Sequence, residues 1–293
     1  GCRKVYPQRG KEGREEVGRL ERGRGGRGGA VEEAGINAAR RAASSRGGQR
    51  GTTVAWDSET GTQICNAIVW QGRRTAGIGE EVIQGGYEEY IKDKTGLVID
   101  PYFSGTKMKW ILENVPAAKS LAEKGRLRFG TIDTWLVYSL SDGESYVTDV
   151  TNASRTMIFD IHEMKWDEKL VKLMGIPAEA LPEIVDSSGI AGYCQEHVFG
   201  RKIPIAGIAG DQHAALFGQC CFKAGLARNT SGTGCFILLN TGEKAFNSKQ
   251  LWTTVAWKIG DRDTYGLEGS ALNAGAAIKW LREELGTISP RQE

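Results

Sequence analysis

The pattern of apolar and polar positions divides the chain near residue 52. Over residues 8–48 apolar side chains are sparse and follow no period along most of the length. Glycine and arginine dominate instead, as in REEVGRLERGRGGRGGAVEEAG and ARRAASSRGGQRG. Such a stretch cannot bury enough surface to offset chain entropy, which predicts an unfolded tail. From Thr52 the chain reads as folded. TTVAWD and ICNAIVW are rich in β-branched and aromatic residues around the turn SETG, and predict two strands. Residues 73–94 predict a helix, which Gly77, Gly79, Gly85 and Gly86 weaken. GLVIDPYFSG predicts a loop with a proline turn, and TKMKWILENV a short amphipathic helix stopped by Pro116. FGTIDTWLVYSL is a further apolar segment, and YVTDVTNASRTM predicts a strand leading into a polar turn.

From residue 203 the rhythm sharpens. IPIAGIAG predicts a strand and DQHAALFGQCC a helix. LARNTSGTGCFILLN predicts two strands around a glycine turn. WTTVAW and TYGLEG predict two more strands, and SALNAGAAIKWLREEL a closing helix. The mixture is α/β.

Composition refines this picture. A length of 293 residues suits one large domain or two modest ones, and 40% hydrophobic with 25% charged content is globular. The net charge of +2 is an average of unlike parts. Residues 1–51 carry 13 Lys and Arg against 6 Asp and Glu, and the remainder 25 against 30. The body is thus mildly acidic, which argues against a nucleic-acid binder. An RGG-type arm would usually carry interleaved aromatics, and residues 8–48 have none. No apolar run reaches the roughly 18–20 residues of a membrane span, and GCRKVYPQRG is no secretory signal. The six cysteines lack metal-ligand spacing, which predicts reduced thiols in a cytoplasmic protein.

One acid stands out. Asp211 interrupts the apolar run IPIAGIAGDQHAALFG at the point where strand gives way to helix. A buried, unpaired carboxylate is costly, so this one needs a partner or a task. It is either a helix cap or a general base at the carboxyl end of a strand, where α/β folds gather their sites. TSGTGCF (230–236) is either an ordinary hairpin or a cradle for phosphate oxygens. AGAAIKW (274–280) reads as close helix packing or as an approach for a ligand. Trp70, Tyr102 and Phe236 lie beside turns, as core or as ligand wall, and His213 reads as a satisfied histidine near a helix start.

Taken together, NAIVWQGRRTA, GLVIDPYFSGTKMKWILEN, FGTIDTWLVY, TDVTNASRTM, GIAGDQHAALFGQ and NTSGTGCFILLNTGE resemble the FGGY carbohydrate kinases. Within them they resemble the branch that phosphorylates glycerol, and the resemblance runs from residue 52 to about 287 almost without gaps. It implies an actin-like, ribonuclease H-like ATPase fold in two domains closing on ATP. Residues 52–245 would belong to the N-terminal substrate domain and 246–293 to the start of the nucleotide domain. The phosphate hairpin that opens the family, its second phosphate motif and its adenosine pocket have no counterpart in these residues. The resemblance therefore implies most of the first domain and the opening of the second, inactive as written.

The resemblance also assigns roles. Asp211 would take the proton from the glycerol hydroxyl that attacks ATP, in dry surroundings. Arg50, Tyr102, Asp211 and Gln212 would bind glycerol hydroxyls, and Trp70 and Phe236 would pack on its carbons. Gly232, Thr233, Gly275 and Lys279 would lie along the nucleotide. ATP, Mg²⁺, ADP and glycerol are the implied ligands, in glycerol catabolism, and a homo-oligomer of a longer protein stays open. A kinase of another polyol or sugar, or a piece that binds glycerol without turnover, are the alternatives. Three positions depart from the family pattern: Gly51 where a glutamate is expected, Ser231 in place of an aromatic, and Lys279 in place of an uncharged polar residue. VYPQ and QRGTT resemble family stretches at about the family distance, and EEAGINAAR between them resembles family helix. The Gly, Arg and Ala around it are what GC-rich codons give out of frame, so compensating frameshifts are a further reading of residues 8–48.

Overall fold

The computed structural model of the chain describes residues 44–232, 234–271 and 273–287. The readings of residues 1–43 and of Thr233 lie outside them. Strand β6 (Ile203–Gly210) is the middle of a three-stranded sheet. Strand β1 (Ser44–Gly48) runs parallel on one side, and β5 (Ser188–Cys194) antiparallel on the other. The presence of β1 corrects the reading of the whole Gly/Arg block as an unfolded tail. Its last five residues pair along β6, from Ser44 opposite Ile205 to Gly48 opposite Gly210. Any non-proline backbone can supply ladder hydrogen bonds. The apolar content comes from β6, where Ile203, Ile205 and Ile208 are buried.

Strand β2 (Thr53–Asp57) pairs antiparallel with β3 (Leu127–Thr131), which leads directly into helix α5 (Ile132–Leu140). ICNAIVW is not a strand. It touches β2 through one isolated bridge, Thr53 to Ile68, and Gln63 just before it makes another with Trp56. Ala67 and Ile68 are buried there without a ladder, and an apolar pattern reports burial rather than pairing. The single helix expected over 73–94 is two, α1 (Ala76–Gln84) and α2 (Glu88–Thr95), parted at the Gly85–Gly86 pair. Pro116 both stops α3 (Ser104–Asn114) and opens α4 (Pro116–Glu123), where its missing N–H costs nothing. These elements enclose the largest core cluster, which includes Ile91, Leu97, Phe103, Met108, Ile111, Phe129 and Ile158.

TDVTNA forms a short strand, β4 (Val147–Asp149), and a one-turn helix, α6 (Val150–Ala153). Asp149 caps that helix by accepting from the N–H groups of Thr151 and Asn152. Strand β6 passes straight into α7 (Asp211–Gly218). The glycine turn of TSGTGCF joins β7 (Ala227–Ser231) to β8 (Cys235–Gly242). With β9 (Trp252–Ile259) and β10 (Arg262–Ala271) these form an antiparallel sheet ordered β7-β8-β10-β9. The 245/246 boundary falls between β8 and β9, two strands of that one sheet. Ser270 and Ala271 still belong to β10, so the closing helix α8 starts later than its sequence pattern, at Gly275, and runs to Glu283. Trp252 lies 5.3 Å from the Phe103 ring and 5.8 Å from Tyr102, joining the sheet to the main core.

Candidate active site

The junction of β6 and α7 carries the site. The Gly210 N–H donates to Thr151 Oγ1 at 2.8 Å, tying the strand end to α6. A Cβ on Gly210 would lie 2.8 Å from the Cγ and Cδ atoms of Arg50, so only glycine lets that side chain cross the strand end. Gly210 is also the N-cap of α7, with no side-chain cap hydrogen bond. Asp211 is the first helical residue, and its Oδ1 accepts from the Gln212 N–H at 2.8 Å. Asp211 is therefore not the N-cap residue, although its carboxylate does take up one N–H of the first turn. The dry surroundings expected for it are corrected too, since its side chain is 48% exposed. Arg50 Nε stands 3.3 Å from Oδ1.

Behind Arg50 lies a buried group of charges. Its guanidinium grips Glu268 of β10 with both ends, Nη1 on Oε2 and Nη2 on Oε1. Arg155 Nη2 donates to the same Oε1 at 3.1 Å. The Arg155 guanidinium sits 5.2 Å from the Phe103 ring centre, 5.3 Å from Trp252 and 5.9 Å from Tyr102. Burial would raise the Glu268 pKa, but the charges of Arg155 and Arg50 override it and hold the carboxyl at about 2. Burial of Arg155 itself lowers its pKa. His213 is buried, its Nε2 3.2 Å from Thr254 Oγ1. Burial first, then the charge of Arg50, pushes its pKa well below the usual value, so the ring is neutral.

The aromatic candidates meet edge to face. Trp70 is 5.7 Å from Tyr102 and 6.3 Å from Phe236 between ring centres. Tyr102 is buried in the main core, whereas Trp70 and Phe236 are half-buried. Gly51 links this wall to Arg50. It has φ +74°, and a Cβ there would lie 2.8 Å from the Tyr102 carbonyl oxygen and 3.4 Å from Trp70 Cβ. The same Tyr102 carbonyl accepts from Lys107 Nζ at 2.6 Å, and that of Phe103 accepts at 3.2 Å. Burial lowers the Lys107 pKa to about 7.

Gln212 is buried behind Asp211, and its Oε1 accepts from Arg228 Nη1 at 2.7 Å. The structure thus gathers Arg50, Trp70, Tyr102, Asp211, Gln212 and Phe236 around one position. Gly232 and Gly275 also meet, through a 3.0 Å bond from the Gly275 N–H to the Gly232 carbonyl. No residue of α8 is buried, which removes the close-packing reading of AGAAIKW. Lys279 Nζ pairs with Glu283 one turn on at 3.0 Å. Glu268, Arg155 and Arg228 escaped the sequence reading. The signal that drew attention to Asp211, a lone charge among small and apolar residues, was present in TYGLEG as well. Among the described residues no three His, Cys, Asp or Glu side chains gather as a metal site, and no helix is long and apolar enough to cross a membrane.

The fold is the actin-like α/β fold of the sugar kinases. A crystal structure of Plasmodium falciparum glycerol kinase with ADP superposes with a TM-score of 0.79 at 38% identity, over 84% of this chain and 49% of that one. Residues 29–218 match the N-terminal domain of the FGGY family of carbohydrate kinases, and the chain belongs to that family. It is 57% identical over 268 residues to a glycerol kinase of Thermoanaerobacter pseudethanolicus, covering 90% of this chain and 54% of the relative. It is 55% identical over 265 residues to glycerol kinase 2 of Thermotoga maritima, covering 90% and 53%. The chain spans about half the length of the curated relatives it matches.

Proposed function

We propose that these residues form the substrate side of a kinase that transfers phosphate from ATP to glycerol, giving glycerol 3-phosphate. The observation that carries this reading is the half-exposed Asp211 carboxylate at the end of β6, beside Arg50 and the wall of Trp70, Tyr102 and Phe236. A polyol needs hydrogen-bonding groups on its oxygens and an apolar face for its carbons. Asp211 accepts the proton of the attacking hydroxyl, Arg50 Nε and the Gln212 amide offer donors, and the rings cover the carbon skeleton. Phosphoryl transfer asks for positioning and charge stabilisation more than for covalent chemistry.

ATP is supported by the ADP named with the Plasmodium relative and by the meeting of Gly232 with Gly275, glycine backbone that lets a phosphate approach. Mg²⁺ would arrive with the nucleotide, held through its phosphates. A cytoplasmic setting and the division of the chain near residue 245 belong to the same proposal. A polypeptide of these 293 residues is expected to bind glycerol without measurable turnover, because it spans half the relatives' length.

Calorimetric titration of glycerol into that polypeptide tests the reading. Saturable binding is expected, lost on Arg50→Met. No saturable heat up to about 10 mM, ten times the usual upper range of substrate constants, overturns it. Saturation by another polyol or sugar in preference to glycerol favours the related-kinase reading.

A further inference from the structure

Behind the residues that face the site, the Gln212 side-chain amide lies between two groups of opposite hydrogen-bonding character. On one side, Arg228 Nη1 is 2.7 Å and Thr230 Oγ1 3.3 Å from Gln212 Oε1. On the other, the Asp211 Oδ2 atom is 3.4 Å from Gln212 Nε2. A guanidinium has donors only and a carboxylate acceptors only. Each therefore fixes which end of the amide faces it, and the two constraints agree. Arg228 and Thr230 lie two apart on β7, opposite Leu238 and Phe236 of β8. Directly opposed residues of an antiparallel pair share a face, so both stand on the side of the sheet that carries Phe236.

We propose that Arg228, assisted by Thr230, is a positioning residue that locks the Gln212 amide with its NH₂ toward Asp211, so that Gln212 meets a polyol as a donor only. The inference rests on the glycerol-binding reading above. The chemistry then divides cleanly. A hydroxyl at this position gives its hydrogen to Asp211 and accepts from Gln212 Nε2. With the amide turned over, two acceptors would face each other and the hydroxyl would have one donor too few. Arg228 lies near enough to Asp211 for their charges to interact, yet its Nη1 donates to the amide. Its Nε is buried and makes no hydrogen bond, so the guanidinium is held by the amide and by packing on the half-buried strand face.

The test is glycerol titration into the unchanged polypeptide and four variants, with thermal unfolding measured on each. Arg228→Met is expected to weaken glycerol binding about tenfold or more, the usual consequence of removing a charge-assisted hydrogen bond. Arg228→Lys keeps a donor toward Oε1 and is expected to recover most of that loss, which a purely packing role would not predict. Gln212→Glu keeps the partner of Arg228 but replaces the NH₂ by an oxygen facing Asp211, and is expected to lose binding as fully as Gln212→Met. Binding by Arg228→Met or by Gln212→Glu within about threefold of the unchanged chain overturns the inference while leaving the glycerol reading intact. Equal weakening by Arg228→Met and Arg228→Lys, with equal loss of thermal stability, overturns it in favour of packing. Absence of glycerol binding by the unchanged chain removes the glycerol reading and this inference together.

Discussion

Glu268→Gln removes one charge from the buried group and leaves its shape nearly unchanged. Glu268 is fully buried and answers both Arg50 and Arg155. Its carboxyl is held at about 2 against an ordinary 4.5. That difference stabilises the fold by about 3 kcal/mol. Removing one partner of a buried ion pair by mutation typically costs about 3–5 kcal/mol, so the two routes to the magnitude agree. The sign follows from the depressed value. The contribution is complete above pH 4.5 and fades as the pH falls toward 2. Near neutral pH, Glu268→Gln is expected to lower the unfolding midpoint by roughly 6–12 °C for a chain of this order of size. The gap between the two proteins should then narrow steadily below pH 4.5. Thermal unfolding by circular dichroism at pH 7, 5, 4 and 3 reads both effects. A midpoint within 2 °C of the unchanged chain at pH 7, or a gap that stays constant down to pH 3, refutes the assignment of Glu268 as counter-charge to the two arginines.

Asp211→Asn in a full-length version of the protein is expected to lower kcat about 10²- to 10⁴-fold in a glycerol 3-phosphate assay. It should leave the thermal midpoint nearly unchanged, because an Asn oxygen can still accept from the Gln212 N–H. Gly51→Glu, which would bring this position to the family pattern, is expected to destabilise by roughly 1–3 kcal/mol in urea unfolding, because φ is +74° and Cβ would meet the Tyr102 carbonyl. Asp133 is buried near Asp149, and its pKa is raised from 3.8 to about 6 by burial first and by that neighbour second. Its contribution is complete below about pH 3.8 and is lost as the pH rises through 6, by about 3 kcal/mol in all. Asp133→Asn should therefore flatten the fall in unfolding midpoint between pH 4 and 7.

The sequence by itself determined the α/β class, the strand-to-helix step at Gly210–Asp211, the hairpin around TSGTGCF and the family. These features are local: apolar period, glycine turns and short motifs need no distant partner to be recognised. The stretch ICNAIVW shows where that reasoning stops. Its apolar residues are buried as the pattern implies, but whether a buried segment pairs depends on a neighbour elsewhere in the chain, which no local period encodes. Strand β1 shows the converse, since SSRGG has no strand signal and is ordered by pairing along the apolar β6. The tertiary structure alone decided the electrostatics of the site. Arg50 and Glu268 are 218 residues apart in sequence, and only the packing of β10 against the main core brings them together. The argument that a lone acid among apolar residues must be paired holds better for Glu268 than for Asp211. Solvent access separates the two: the Glu268 side chain has none, and that of Asp211 is half open.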